Sequence, residues 1–355
     1  MRVIIGLSGG VDSSVAALLL KNEGHDVMGV TMRIWRDGRY AGGSRDACFS
    51  ASEHEDVAAA EAFCQKIGIP YHAFDCADAY ESLIVDDFRQ EYLAGRTPNP
   101  CVRCNAVMKF GLLPDAAAAA GIPFDRFATG HYARTDSSGG RQRLLRGVDL
   151  PKDQSYFLYR LSQDQLARQL FPLGHLTKRE VRALAHANDI LAADKPDSQD
   201  FYSGEREELI GEPERRGNIV DEAGNVLGQH TGFWQYTIGQ RKGLGIAHAH
   251  PLYVVEINAC RNEVIVGPVE RTVSHSLMAH SCNWVSISEP AAPIDVHVKV
   301  RSIGHPLVAA RVVPLGDGRV NVQYPDGISG VAPGQSAVFY QDDVVLGGGI
   351  IGSAQ

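Results

Sequence analysis

Residues 1–23 read MRVIIGLSGGVDSSVAALLLKNE. Arg2 to Leu7 is an apolar, β-branched run of the kind that forms a buried strand, and Ser13 to Glu23 spaces its apolar residues as a helix does. Between them lie Ser8, Gly9, Gly10, Val11 and Asp12. Glycines let the backbone approach a phosphate and turn successive N–H groups toward it, while the helix N-terminus adds partial positive charge. The loop is therefore predicted to hold a polyanion. Asp12 places a carboxylate beside that anion, a repulsion that a bridging Mg²⁺ would remove, so a magnesium nucleotide is the expected ligand. The competing reading is a glycine-rich turn in which Asp12 and Ser13 only cap the helix. No GKS ending makes this a Walker loop, and the GxGxxG spacing of dinucleotide folds is absent.

Outward from this loop the pattern repeats. Val27 to Ile34 reads as the next strand, Glu53 to Ile67 as a helix, Tyr71 to Phe74 as a strand, and Arg126 to Thr129 as another strand ahead of GHYAR, a series of βαβ units and hence a parallel sheet. The alanine tract after Asp115 is a helix ended by Gly121. Ser162 with Gln165 and Thr177 with Glu180 have capping-box spacing and open two amphipathic helices. Helical character is expected to stop near Ala193. From Gly217 onward, short alternating strands are punctuated by DEAGN, PLGDG and YPDG, and Ile294, Val296, Val298 and Val300 alternate with polar residues. The text divides again near Arg271.

A chain of 355 residues with 44 % hydrophobic content is long enough for two or three domains. The formal net charge of −8 means a polyanionic partner must be met by local basic patches. No stretch approaches the roughly 18 apolar residues that cross a bilayer, so the expectation is a soluble, cytoplasmic protein with no membrane partner. Seven cysteines, an odd number, suggest reduced thiols with chemical roles for some.

In its strand-loop-helix setting, SGGVDS resembles the PP-loop of ATP pyrophosphatases, which cleave ATP between the α and β phosphates. In GRTPNPCVRCN, prolines flank Asn99, and Cys101 and Cys104 lie one turn apart, close enough for a dithiol or for two ligands. Together with KDQSYFLYRL, DKPDSQDF and YTIGQRKGLGIA, these motifs resemble the tRNA 2-thiouridylases of the MnmA family over nearly the whole chain. The resemblance implies an α/β fold: an N-terminal PP-loop parallel sheet with flanking helices over residues 1–204, a small β-rich central domain over 205–271, and a C-terminal β-barrel over 272–355. It implies ATP- and Mg²⁺-dependent replacement of the wobble-uridine C2 oxygen by sulfur in tRNAs for Lys, Glu and Gln. By the same resemblance ATP is held by Gly6, Leu7, Ser8, Gly9, Gly10, Val11, Asp12, Ser13, Met32 and Gly130. Cys104 matches the nucleophile, with Asp12 and Cys101 beside it in the chemistry. Asn99, Pro100 and Cys101 match positions at the target base, and Lys152, Asp153, Gln154, Arg301 and Ser302 match positions at the tRNA.

The chain departs from the usual pattern twice. Cys101 stands where the family has Asp, and Tyr202 stands where it has a second, sulfur-carrying cysteine, so the usual relay is unavailable. Two replacements remain open. Cys101 and Cys104 work as a local pair, one bearing a persulfide and the other resolving it. Alternatively, they join Cys48, or failing that Cys76, in holding a [4Fe–4S] cluster that binds external sulfide. Cys48 as a merely buried thiol is the plain alternative, and Cys64, Cys260 and Cys282 are assigned to packing. The sulfur donor is a persulfide carrier or free sulfide. Arg241 with Lys242, and Lys299, Arg301 and His305, are further basic patches for tRNA, each of which reads equally as a solvated face. Trp234 and Tyr236 have the rings to stack a flipped base, but aromatics in alternating strands are more often core, and His131 is assigned to a local hydrogen bond. Two other functions stay in view: a PP-loop synthetase adenylating a small molecule, and a tRNA-binding protein that has lost thiolation.

Overall fold

A computed structural model describes residues 1–42, 47–195, 200–202, 204–302, 304 and 306–355. Strand β1 (Arg2–Gly6) enters helix α1 (Val11–Asn22) through the glycine loop, and β2 (Asp26–Arg33) follows. Strand β3 (Ala47–Phe49), helix α2 (Glu53–Ile67), β4 (Tyr71–Asp75) and β5 (Arg126–Ala128) come next. A hairpin of β6 (Ala133–Ser138) and β7 (Arg141–Arg146) precedes β8 (Gln169–Leu170). The five-stranded sheet has order β4-β2-β1-β5-β8, and every pair in it is parallel. The chain moves outward from β1 to β4 and then returns to the other side of β1 with β5. That reversal is a topological switch point, where open α/β sheets bind ligands at their carboxyl ends. The glycine loop leaves β1 at this crevice.

The sheet packs against α1 and α2 through Val3, Ile5, Val15, Ala16, Phe63 and their neighbours, a core that fixes the direction of α1. Helix α2 ends on Gly68 in the left-handed region (φ 66°), the usual glycine stop. Both capping boxes form: Ser162 exchanges bonds with Gln165, and Thr177 with Glu180. The helix after Ser162 is short, Gln163–Ala167, and the one after Thr177 is Lys178–Ala187. Helix does not stop for good at Ala193, because Arg206–Ile210 forms a further short one.

The β-rich half holds a four-stranded sheet over Gly217–Asp221, Val226–His230, Tyr253–Asn258 and Glu263–Gly267, and then six antiparallel strands. The first of the six, Val273–Asn283, pairs with the last, Val344–Ala354, which closes a barrel. Val296, Val298 and Val300 point into its core, as their alternation requires. The β6–β7 hairpin attaches to this barrel sheet, Leu144 opposite Val345 and Leu145 opposite Val344. The first two-fifths of the chain and the barrel thus share a sheet. Among the described residues no helix is long and apolar enough to cross a membrane.

Candidate active site

The loop is built for an anion. Gly9 has φ +68°, and a Cβ there would lie 2.6 Å from the Asp56 carbonyl oxygen, so only glycine fits. Gly10 caps α1 without a side chain, which leaves the first N–H groups of the helix facing the crevice. Ser13 and Ser14 hydroxyls donate to the Gly10 carbonyl at 3.3 and 2.9 Å and tighten the turn. On the strand side Leu7 is held by Val30 and by the Thr31 hydroxyl. Gly130 closes the other wall, since a Cβ there would meet Ser13 N at 2.7 Å. Met32 sits half-buried at the end of β2 against two apolar clusters, so packing alone accounts for it.

Asp12 resolves its charge in a way the sequence reading missed. Lys178 Nζ donates to both carboxylate oxygens at 2.8 Å, and the Tyr132 hydroxyl donates to Oδ1 at 2.8 Å. Lys178 is 8 % exposed and is the first residue of its helix, immediately after the Thr177 cap. In this structure the Asp12 carboxylate is therefore matched by an ammonium, and a Mg²⁺ joining it to phosphate would share it with Lys178.

The cysteine segment is also held in place. Asn99 caps the Pro100–Cys104 helix, its Oδ1 accepting from Val102 N at 3.2 Å. The barrel clamps the chain just before it: Gln335 Nε2 donates to the Thr97 and Pro98 carbonyls, and Thr97 N donates to Pro333 O. Arg103 anchors the far side through the Leu83 carbonyl at 2.6 Å and Asp87 at 3.3 Å. After Cys104 the helix continues with π winding over Asn105–Leu112.

Cys104 is 9 % exposed, and burial pushes its thiol up to about 11, against which Lys109 pulls it down. Cys101 is half-buried and Cys48 exposed, so the plain reading of Cys48 as a buried thiol fails. Cys48 lies between two residues of β3 that pair with strand β9 (Asp200–Tyr202), Ala47 opposite Asp200 and Phe49 opposite Tyr202. The Tyr202 ring packs on Tyr40 and Phe49, and its hydroxyl donates to Glu208. Cys48, Cys101, Cys104 and Lys109 share one electrostatic neighbourhood with the buried Tyr80. Even so, among the described residues no three or more His, Cys, Asp or Glu side chains are gathered to hold a metal ion. Cys76, the fallback ligand, is buried in the aromatic core. Cys64 is core as expected, but Cys260 is exposed at a turn and is corrected from packing.

The residues matched to tRNA differ in burial and in what holds them, and Tyr156 acts on both Asn99 and Arg301. Asp153 is turned inward, 2 % exposed, accepting from Gly147 N, Ser155 N and the Ser155 hydroxyl. Gln154 is tied to Tyr132 by two bonds, which links this turn to the Asp12 wall. Lys299 faces Asp153 and Arg146, and burial lowers its pKa, so the Lys152 turn and the Lys299 strand form one neighbourhood. Arg301 is half-buried and donates to Ile238 O and Gly330 O, with Ser302 beside it half-buried. Arg241 and Lys242 are exposed. His305 lies outside the described residues, as do Ser198 and Gln199 of the SQDFYS segment. Trp234 and Tyr236 are core. His131 bonds Thr129 Oγ1 at 2.8 Å, and burial, with Lys109 nearby, takes its pKa down to about 3, so its ring is neutral. The sequence reading had no signal for Tyr132. For Lys109 there was one, a lone charge inside the apolar run AVMKFGLL.

Family models match along the whole chain: one described as tRNA methyl transferase HUP domain over residues 1–202, one as tRNA methyl transferase PRC-barrel domain over 209–268, and one as aminomethyltransferase beta-barrel domain over 274–351. The chain is 46 % identical over 357 residues to the tRNA-specific 2-thiouridylase MnmA of Endomicrobium trichonymphae, covering 99 % of each. It is 47 % identical over 361 residues to the protein of that name from Geotalea uraniireducens, covering 99 % of this chain and 94 % of that one. The corresponding figures for Clostridium perfringens are 42 % over 359 residues, 99 % and 98 %.

Proposed function

The chain belongs to the tRNA-specific 2-thiouridylase family, and from that membership we propose how its own residues perform ATP-dependent exchange of oxygen for sulfur at C2 of the tRNA wobble uridine. ATP lies over the Ser8–Ser13 loop with its phosphates on the α1 N-terminus, and Mg²⁺ travels with it as counter-ion of the phosphates. The uridine O2 attacks the α-phosphorus and pyrophosphate leaves, which turns a poor leaving group into AMP. A hydropersulfide on Cys104 then attacks C2 and expels AMP, leaving a Cys104–S–S–C2 link. The Cys101 thiolate attacks Cys104 Sγ, releasing 2-thiouridine and forming a Cys101–Cys104 disulfide. An external dithiol reduces that disulfide and a persulfide carrier passes its outer sulfur to Cys104, or free sulfide attacks Cys104 Sγ of the disulfide directly, giving the Cys104 hydropersulfide and the Cys101 thiolate. Asn99, Pro100 and Cys101 border the entering base. Lys152 and the exposed Arg241 and Lys242 meet phosphates of the tRNAs for Lys, Glu and Gln.

The observation that carries this reading is one continuous neighbourhood: Gly130 lies against Ser13, His131 follows it, and Lys109 acts on both His131 and Cys104. Activation and attack then have a common space. The test is to incubate the purified chain with ATP, unmodified tRNA and a persulfide or sulfide source and digest the tRNA for nucleoside mass spectrometry. One 2-thiouridine per AMP and per pyrophosphate is expected. Pyrophosphate release without RNA would support a small-molecule synthetase, and RNA binding without sulfur incorporation a protein that has lost thiolation.

A further inference from the structure

Residues 105–113 read NAVMKFGLL, an apolar run with one charge, Lys109. An α-helix turns about 100° per residue, so positions five apart diverge by more than a quarter turn; π winding closes i→i+5 bonds and brings such positions onto one face. The π winding of Asn105–Leu112, which follows directly on Cys104, therefore carries Lys109 round to the Cys104 side. Gln165 braces the winding from outside, donating to the Ala106 and Phe110 carbonyls at 2.9 and 3.0 Å.

Lys109 is half-buried, and among the described residues its ammonium makes no ion pair and no hydrogen bond. Lys178 and Lys195, by contrast, are matched to Asp12 and Asp56. Among the described residues Cys104, Cys48 and Cys101 lie within the electrostatic reach of Lys109, as does the His131 ring. Burial disfavours its charge, and the three thiols outweigh that and hold its pKa above the ordinary value. A partly buried cation kept without a carboxylate is costly unless an anion visits it.

The geometry points to Lys109 as the positioning residue for sulfur: its fixed ammonium holds the terminal sulfur anion of a Cys104 hydropersulfide and aims it at the activated base. The inference rests on the reading that Cys104 carries sulfur. The hydropersulfide gives its proton to solvent as the anion forms, and Lys109 keeps its own. When that anion bonds C2, its charge leaves with AMP, and the ammonium is free to meet the next sulfur anion. The groups facing Cys104 are Lys109, Cys48, and Tyr80 from the neighbouring helix, with Cys101 one turn before it.

The experiment follows alkylation of Cys104 by iodoacetamide against pH in the full-length protein. Trypsin cleavage after Arg103 puts Cys101 and Cys104 in separate peptides, so mass spectrometry reads each thiol alone. Lys109→Gln is expected to slow Cys104 alkylation at pH 8 by about tenfold, one unit in its midpoint, and Lys109→Arg to leave it within about twofold. A Gln variant that tracks the wild-type profile while folded overturns the inference. Should neither variant fold, the unmutated chain decides: capping Cys104 with a neutral methylthio group should make the Lys109 amine more reactive toward an acylating reagent by at least about threefold, and unchanged reactivity overturns the inference. Thiolation assayed in parallel separates the two readings. A linked pair without sulfur transfer overturns the sulfur-transfer reading, and transfer without linkage overturns the role of Lys109.

Discussion

Two capping boxes in this chain look alike in sequence and serve opposite ends of the site. The Thr177 box starts a helix whose first residue, Lys178, locks onto Asp12 beside the phosphate loop. The Ser162 box ends in Gln165, whose Oε1 completes the cap while its Nε2 reaches across to the π segment that carries Lys109. One box therefore delivers a cation already matched to a carboxylate. The other braces a cation that, among the described residues, faces thiols and an imidazole. The contrast teaches that local capping chemistry sets where a helix begins, while the tertiary partner of the next few residues decides whether a charge is structural or held open for a reacting anion.

The sharpest way to break the contrast is at the thiol that Lys109 faces. Cys104→Ser removes the sulfur nucleophile, and 2-thiouridine measured by mass spectrometry should fall at least about a thousandfold, while ATP still binds the loop. Residual thiolation near wild type would move the nucleophile to Cys101 or Cys48. At the other lysine, Lys178→Met strands Asp12 as a bare carboxylate beside the phosphates, and ATP affinity by calorimetry should weaken by roughly ten- to a hundredfold. Asp12→Asn with Lys178→Met should recover part of that loss, a coupling of about 1–3 kcal/mol. Strict additivity would mean that the pair is not acting as a unit.

The thiols themselves set a pH dependence. Burial pushes both Cys76 and Cys104 from an ordinary value of 9.0 up to about 11. A raised acid pKa means that the fold favours the neutral thiol, so this stability is complete below pH 9 and is lost as pH rises from about 9 toward 11. Urea titrations across that window should show the decline, and Cys76→Ala should flatten it by about 2 kcal/mol. An unchanged slope would put Cys76 in contact with solvent in the folded state.

What the residue pattern disclosed and what it concealed divide along the same line. The glycine loop, both capping boxes and the alternating Ile294–Val300 strand are local, since their physics involves neighbours a few positions apart, and they appear as read. Lys178 lies 166 residues from Asp12, and Tyr132 lies 120 away, so no spacing announces either. The parallel pairing that sets Cys48 beside the Tyr202 strand and the attachment of the β6–β7 hairpin to the barrel are likewise products of packing. Lys109 is intermediate. Its isolation in an apolar run is visible, but its approach to Cys104 depends on π winding that no propensity encodes.

The smallest effects test the boxes directly. Gln165→Glu keeps the oxygen that completes the Ser162 cap and replaces the nitrogen that braces the Ala106 and Phe110 carbonyls, so its cost, about 1–2 kcal/mol by thermal melt, comes from the π segment. It should also alter the rate of Cys104 alkylation. Thr177→Ala removes a cap worth about 1 kcal/mol and loosens the helix that presents Lys178, so it should weaken ATP binding severalfold and leave Cys104 alkylation unchanged. Each variant should therefore disturb one end of the site and spare the other. If Thr177→Ala shifts thiol reactivity as much as Gln165→Glu does, the two lysines answer to one rigid body, and the separation of a locked cation from an open one gives way.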